Sequence, residues 1–583
     1  MRHGEDTNYE ALVNHRRNYG AQRQTEGCPV MEKKSAIEKK SASGAALRER
    51  LLFPDLADRP ISLMEAENGS AAVERTQEAL SAITSRMLGP IDPTDLSDNP
   101  AAFTYFGQFV FHDIVFSRIF GAPVSDVSER ALRNASSGSI DLSGLYGRGP
   151  VVDPHLYDWA SANDTALCRF PLGLPGVSDR NVKLPVDGSV ERARDLPRVD
   201  GSSGFMSLQG RKGPYRPLVA DPRNDDNLVL SQLHCALMQV HNRLVDVQIA
   251  HRGATAQIAF EQARAYLTSV YRRVVVDDYM RRMLSREVWD HFFGGEGFRG
   301  PGADTLAPLA DLPMEFSFGA SRFAHGMVRE RYSVNQAFDD IPGTLREMLS
   351  FSSQRPHGDV PVRVNWAIDW SRFAELGDPA RMMRARRISP FLAFELASVK
   401  HAADLDGTPR SIAFMDCWRC YHLGLPSGQA VAEAVGAALA DGPAHVRVLS
   451  GADMLPTEWC KERYPFHAAE LERTLNAYPQ FLTETPLSYY VLQEASVLGD
   501  DGNRLGPVGS YIVGATVAAA LFNTSDSEIH VPLPWTVHPH TLAGLLRLAD
   551  DRLVSDDELV GLLERTVRPD LSARGHRRTG NAV

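Results

Sequence analysis

Between Asn227 and His251 apolar side chains return at Leu230, Leu233, Leu237, Val240, Leu244 and Val247. Steps of three and four line all six along one stripe of an α-helix and would scatter them over both faces of a strand. A helix this long with one buried stripe needs other helices to cover it. Such patterns recur over residues 258–291, 314–331, 389–401, 427–441, 466–474 and 510–522, and another begins at Ala79. Strand-like alternation is scarce, so the expected fold class is mainly α, with few short strands and long loops. The chain has 583 residues, beyond the roughly 250–300 at which a single core usually stops growing. One large helical domain or several lobes would fit. The composition divides it into a polar, partly irregular arm (1–60), a helical domain (61–550), and a C-terminal helix with a polar tail (551–583).

Composition excludes several classes. With 62 basic and 73 acidic residues the net charge is −11, which argues against nucleic acid as the main partner. The apolar run Tyr511 to Phe522 falls short of the ~20 residues that span a bilayer and reads as a buried core helix. The first twenty residues lack the apolar core of a signal peptide, which leaves leaderless export or cytoplasmic residence. Six scattered cysteines do not make a disulfide scaffold, and Cys417 and Cys420 form a CxxC with no second pair.

Four short segments carry chemistry. In FGQFVFHD, Gln108 and His112 stand four apart and so project from one helical face. An imidazole there can take a proton from peroxide and return it to the departing oxygen, while the amide holds water or substrate. An ordinary core histidine is the plainer alternative. Asp113 points elsewhere, about 100° further round the helix. Downstream, Ser137, Ser139, Asp141 and Ser143 alternate and would share one side of an extended segment. Hydroxyl, carbonyl and carboxylate oxygens are the hard ligands calcium prefers; a solvated Ser-rich turn is the other reading. Arg223, in DPRNDDN, could stabilise charge on a leaving oxygen, or lie on the surface of an acidic loop. His325 follows Arg322 by three, and Asp416 precedes Arg419 by three. A neutral imidazole suits a haem iron and a guanidinium suits a haem propionate. Asp416 could accept the second ring proton of His325 and Arg419 could pair with the other propionate; a solvated i,i+3 ion pair is the alternative for these two.

In this order the blocks FGQFVFHD, SIDLSGLYG, DPRNDDNLVLSQLHCALMQVHNRL, RFAHGMVRERY and RCYHLGLPSGQ resemble the animal-type haem peroxidases of the peroxidase–cyclooxygenase superfamily, in a bacterial-type version. The resemblance runs from about Pro100 to Ser525. It implies a large helical fold around one buried b-type haem, with His112 as distal base, Gln108 beside it, Arg223 as catalytic arginine and His325 as proximal ligand. It also implies calcium held by Asp113, Ser137, Ser139 (through its carbonyl), Asp141 and Ser143. The activity implied is reduction of hydrogen peroxide with oxidation of small anionic or phenolic donors: halides, thiocyanate, phenols or amines. A role in the response to oxidative stress is compatible with that. The segment from Pro150 to Pro222, rich in Gly, Pro, Asp and Arg, is expected to cover one edge of the cofactor pocket.

Departures from the family matter too. Some members bind haem through an ester to an Asp just before the distal His; Phe111 stands here. A second ester uses a Glu after the arginine. Asp226 occupies that place and can form a link or cap the following helix, and Asn227 replaces a sulfonium-forming methionine. Asp416 stands where the family usually has Asn. Fatty-acid dioxygenases of the superfamily need a radical-forming Tyr three residues before the proximal His, where this chain has Arg322. Lipid dioxygenation is thereby disfavoured, and a non-catalytic adhesion relative is the remaining alternative.

Overall fold

The computed structural model describes residues 50–116, 134, 136–158, 167–178, 184–185, 192–199, 216–294, 312–353, 360–398, 410–440, 446–522 and 537–567. The Lys-rich part of the arm, much of the 150–222 segment and the tail beyond 567 lie outside these residues. Packing begins before the boundary set at residue 60. Leu51 and Leu56 are buried, and the Leu52 and Phe53 N–H groups donate to Glu315 at 2.9 and 3.3 Å.

Helices dominate. α1 spans Gly69–Met87 and starts ten residues ahead of the apolar pattern, because Asn68 caps it by accepting from Ala71 N and its first turns are largely exposed. α2 spans Ala102–Ile114. α3 (Leu228–Arg252) carries the six-residue stripe, all of it buried. It stops at Gly253, whose φ of 61° is left-handed and suits glycine, and Thr255 then caps α4 (Ala256–Val274), which packs back on α3. Further along lie α5 (Ile412–His422), α6 (Leu487–Leu498) and α7 (Pro507–Phe522). α7 contains the apolar run and is a core helix: Ile512, Val513, Ala515, Val517 and Ala518 have no exposed surface. Glu494 on α6 accepts from Val508 N and Gly509 N at the start of α7, where unpaired N–H groups favour a carboxylate. No helix among the described residues is long and apolar enough to cross a membrane.

Three sequence expectations of regular helix are corrected. The 258–291 pattern continues past α4 as a π turn, Val275–Met280, and breaks at Leu284 before a separate helix Arg286–Phe293. The 314–331 pattern is a π turn, Glu315–Gly319, followed by a 3-10 helix, Ala320–Met327. Over 389–401, Pro390 disfavours helix for Ser389; Leu392–Ala393 instead pairs in parallel with Leu88–Gly89, Phe394–Ser398 turns as 3-10, and residues 399–401 lie outside the described residues. Apolar spacing of three to four residues does not distinguish these tighter and wider turns from α-helix. Two further strand pairs are antiparallel: Arg198–Val199 with Arg216–Pro217, and Arg331–Tyr332 with Gly343–Thr344. Cys417 and Cys420 are buried free thiols on α5 beside the Ser488 hydroxyl, and burial raises both.

Candidate functional site

α2 is apolar almost all round, and such a helix is expected to be buried on every side. It is, apart from Gln108 and His112, the two residues on it that keep partial exposure. Its opposite side is packed by the π turn, which sets the Tyr279 ring 5.5 Å from Phe103 and 5.6 Å from Phe106. Gly107 permits that approach, since any side chain there would collide with the Tyr279 hydroxyl. Phe111 packs edge-on against Phe316 (5.3 Å) and Phe323 (6.0 Å), so α2 rests directly on the segment that carries His325.

The turn Pro222–Asp225 braces the C-terminal end of α2. Arg223 donates to His112 O (2.7 Å), Val115 O (2.6 Å) and the Asp221 carboxylate (2.6–3.1 Å), and its guanidinium lies 4.4 Å over the Phe116 ring. These bonds engage Nε and both Nη2 hydrogens and leave one on Nη1, so in this geometry Arg223 mainly ties down the helix terminus. Asn224 Oδ1 lies 3.0 Å from His112 Nδ1. Burial, with the Arg223 charge, pushes His112 down to about 4, so the ring is neutral near pH 7. Gln108 Oε1 accepts from Asn227 Nδ2 at 3.1 Å, and its Nε2 reaches Asp226 Oδ2 at 3.5 Å. Asn227, by accepting from Leu230 N, is the cap of α3; the Asp226 cap allowed by the sequence is corrected by one residue.

Asp113 faces away from His112 and accepts from Asp141 N, Leu142 N, Ser143 Oγ and Gly144 N at 2.9–3.2 Å. Ser137 Oγ is 3.4 Å from Ser143 Oγ and 3.5 Å from Ser139 O. The segment is not uniformly extended, as its alternation suggested. Leu142 is left-handed (φ 59°) and Ser143 opens a short helix, so the chain curls around the carboxylate. Burial and the Asp141 charge raise Asp113 to about 7. The described residues hold no group of three or more His, Cys, Asp or Glu side chains suited to a metal ion; the expected calcium set has two carboxylates and otherwise hydroxyl and carbonyl oxygens.

His325 sits in the 3-10 helix, and its Nδ1 is 2.7 Å from Asp416 Oδ2 on α5. Asp416 Oδ1 is buried without a hydrogen-bond partner, 3.8 Å from Arg322 Nε and 3.7 Å from Arg419 Nη1. Burial opposes its charge, but His325, Arg322 and Arg419 outweigh burial and hold the carboxyl below the usual range. Burial lowers Arg322, and the Arg223 charge adds to this; burial and the Arg322 charge bring Arg419 down to about 10. The Arg322 charge also acts on His112. The Arg322 charge thus links the surroundings of both imidazoles in one region, in which buried guanidiniums crowd each other.

That region fits a haem. With Nδ1 engaged by Asp416, His325 has Nε2 left for a metal, and an anionic macrocycle would relieve the crowding of positive charge around Arg322 and Arg419. Asn224 and Asp221 went unrecognised as site residues in the sequence. Their signal was adjacency to Arg223 in a run of short polar residues, which also describes any surface turn.

Residues 178–357, including Arg223 and His325, match the family model described as animal haem peroxidase. Human thyroid peroxidase is 23% identical over 235 residues, which is 39% of this chain and 23% of that protein. The dog enzyme is 23% identical over 232 residues, 38% and 22% respectively. The match thus spans about a quarter of the length of these curated relatives. Among solved structures, peroxidase A of Dictyostelium discoideum aligns with a TM-score of 0.50 at 16% identity, covering 88% of this chain and 92% of that one, and has the same fold. A fatty acid alpha-dioxygenase of Arabidopsis thaliana aligns at TM-score 0.46 and 12% identity over 87% and 75%. The central part of the chain, residues 178–357, is thus similar to the animal haem peroxidases, and the chain as a whole shares the largely helical fold of peroxidase A.

Proposed function

We propose that the protein is a haem peroxidase that reduces hydrogen peroxide and oxidises small donors such as halides, thiocyanate, phenols or amines. The observation that carries this reading is α2: a helix buried throughout except at Gln108 and His112, and packed through Phe111 against Phe323 of the His325 segment. Bound haem would supply the redox centre that accepts peroxide oxygen and passes oxidising equivalents to donors.

The chain's own residues set the conditions. His325 would hold the iron through Nε2. Asp416, on Nδ1, fixes that ring's orientation and increases its basicity. Arg322 and Arg419 would pair with the propionates. His112, neutral at working pH, takes a proton from one peroxide oxygen and delivers it to the other as the O–O bond breaks. Gln108, fixed by Asn227 and Asp226, orients the incoming peroxide. Arg223 keeps the His112 end of α2 in place and has one Nη1 hydrogen to offer the separating charge. Calcium would sit among Asp113, Ser137, Ser139 O, Asp141 and Ser143, pinning α2 by its reverse face. An ester through Asp226 is compatible with its place beside Gln108; denaturing extraction that removes all haem would exclude it.

Arg322 in place of tyrosine favours peroxidase over dioxygenase, as does the engagement of Tyr332, whose hydroxyl meets Tyr105 at 2.7 Å and Arg329 N at 2.9 Å. Stopped-flow mixing of haem-loaded protein with peroxide, followed by a screen of bromide, chloride, thiocyanate, iodide and guaiacol, tests the proposal. His112→Ala should slow the peroxide step by roughly 10²- to 10⁴-fold. A near-normal rate removes the base assignment, and oxygen uptake with linoleate in place of donor oxidation would move the chain to the dioxygenases.

A further inference from the structure

Asn224 stands between two imidazoles, the partly exposed His112 and the buried His234. Its Oδ1 lies 3.0 Å from His112 Nδ1 on α2, and its Nδ2 lies 3.1 Å from His234 Nδ1 on α3. Asn224 and His234 are each 1% exposed. The asparagine backbone is held as well: Asn224 N donates to Asp221 O at 3.1 Å, and the neighbouring Arg223 is bonded to His112 O. His234 meets the Phe109 ring edge-on at 6.0 Å. Phe109 and His112 are three apart on α2, so the same helix braces both ends of this chain of side chains.

A side-chain amide has unlike ends. Its oxygen can only accept and its nitrogen can only donate, whereas a neutral imidazole carries its proton on one nitrogen or the other. The bond to Oδ1 therefore requires a proton on His112 Nδ1. The bond from Nδ2 requires a lone pair on His234 Nδ1, with that ring's proton on Nε2. Turning the amide over would invert both rings together, so the two tautomers are tied through Asn224.

We propose that Asn224, braced by His234, is a positioning residue that locks His112 in the Nδ1–H tautomer and leaves its Nε2 lone pair free to accept the peroxide proton. This rests on the reading of His112 as the distal base. A ring protonated at Nε2 could not act as a base there. His234 ties the amide orientation to a second ring, so a change of the His112 tautomer requires His234 to change as well.

Long-range ¹H–¹⁵N correlation on the full-length, haem-free chain labelled with [¹⁵N]histidine reads the tautomers directly. His112→Gln and His234→Phe identify each ring by loss of its signals. The expected result is a proton on Nδ1 of His112 and on Nε2 of His234. Asn224→Leu should abolish the His112 preference and, in the haem-loaded enzyme, slow the peroxide step roughly 10- to 100-fold, as loss of a ring-orienting partner does elsewhere. Asn224→Asp keeps an oxygen toward Nδ1 and should restore the tautomer and most of the rate. Finding His112 protonated at Nε2 in the wild type overturns the proposal without any variant, as does an unchanged tautomer in Asn224→Leu. If the tautomers are as expected but His112→Ala leaves the peroxide step intact, the lock stands and the distal-base reading falls.

Discussion

Replacing Arg198 by methionine should destabilise the fold by about 3–5 kcal/mol, the usual cost of removing one partner from a buried ion pair. Arg198 is nearly inaccessible (4%) and joins two carboxylates with no exposed surface, Asp195 at 2.8 and 3.1 Å and Asp225 at 2.8 and 2.9 Å. Four charge-assisted bonds at roughly 1.5–3 kcal/mol each set an upper bound of about 6–12 kcal/mol. Backbone donors that remain bring the figure down: Leu196 N and Val362 N still reach Asp195, and Ser353 N still reaches Asp225, all at 2.8–2.9 Å. Methionine also retains part of the buried apolar stem. Urea unfolding of wild type and variant at pH 7 measures the difference through the midpoint at unchanged slope. The triple variant Arg198→Met, Asp195→Asn, Asp225→Asn should recover most of the loss, because neutral groups need no counter-charge. A single-variant cost below about 1 kcal/mol, or a triple variant no better than the single, would refute the argument. Asp225 adjoins Asn224, so the single variant should also slow the peroxide step.

Three other outcomes are expected. His241 is fully buried between Tyr146 Oη and Cys168 O, each 3.0 Å away, and burial pushes it down to about 4. Its folded value lies below the unfolded ~6.5, so its contribution is complete above pH 6.5 and lost as pH falls towards 4; at pH 5 the loss is about 2 kcal/mol. The stability difference between wild type and His241→Gln should narrow by that amount from pH 7 to pH 5, and a constant difference would contradict it. Asp416→Asn should raise the Fe(III)/Fe(II) potential of the haem-loaded protein, since a carboxylate on His325 Nδ1 favours the oxidised metal; an unchanged potential in spectroelectrochemistry removes that role. Chelation of calcium should lower the thermal midpoint, by the equivalent of about 3 kcal/mol if calcium had been present at a hundred times its dissociation constant. An unchanged midpoint excludes the site around Asp113.

The parts of the molecule legible in the sequence are those governed by local periodicity. The α3 stripe and the Gln108–His112 pair follow from 3.6 residues per turn and needed no tertiary information. The 2.7 Å contact between His325 and Asp416 joins positions 91 apart, and residue chemistry alone suggested it because an imidazole that serves a metal needs an acceptor on its other nitrogen. The cap of α3 was ambiguous by one residue because Asp225, Asp226 and Asn227 are all competent caps. The bracing of α2 was not legible. It depends on a turn from residues 221–226 meeting the end of a helix 108 residues earlier, and on Arg198 arriving from a third segment. The Ser137–Ser143 alternation misled because left-handed Leu142 reverses the chain where a strand would have continued.

The central claim is that His325 presents Nε2 to a haem iron across from His112. Reconstitution of wild type and His325→Gly with hemin, monitored by the Soret band and by electron paramagnetic resonance of the ferric form, tests it most directly. The account predicts a ferric haem with axial imidazole in the wild type, loss of that signature in His325→Gly, and its return when free imidazole fills the space. An identical spectrum in His325→Gly without added imidazole would contradict it.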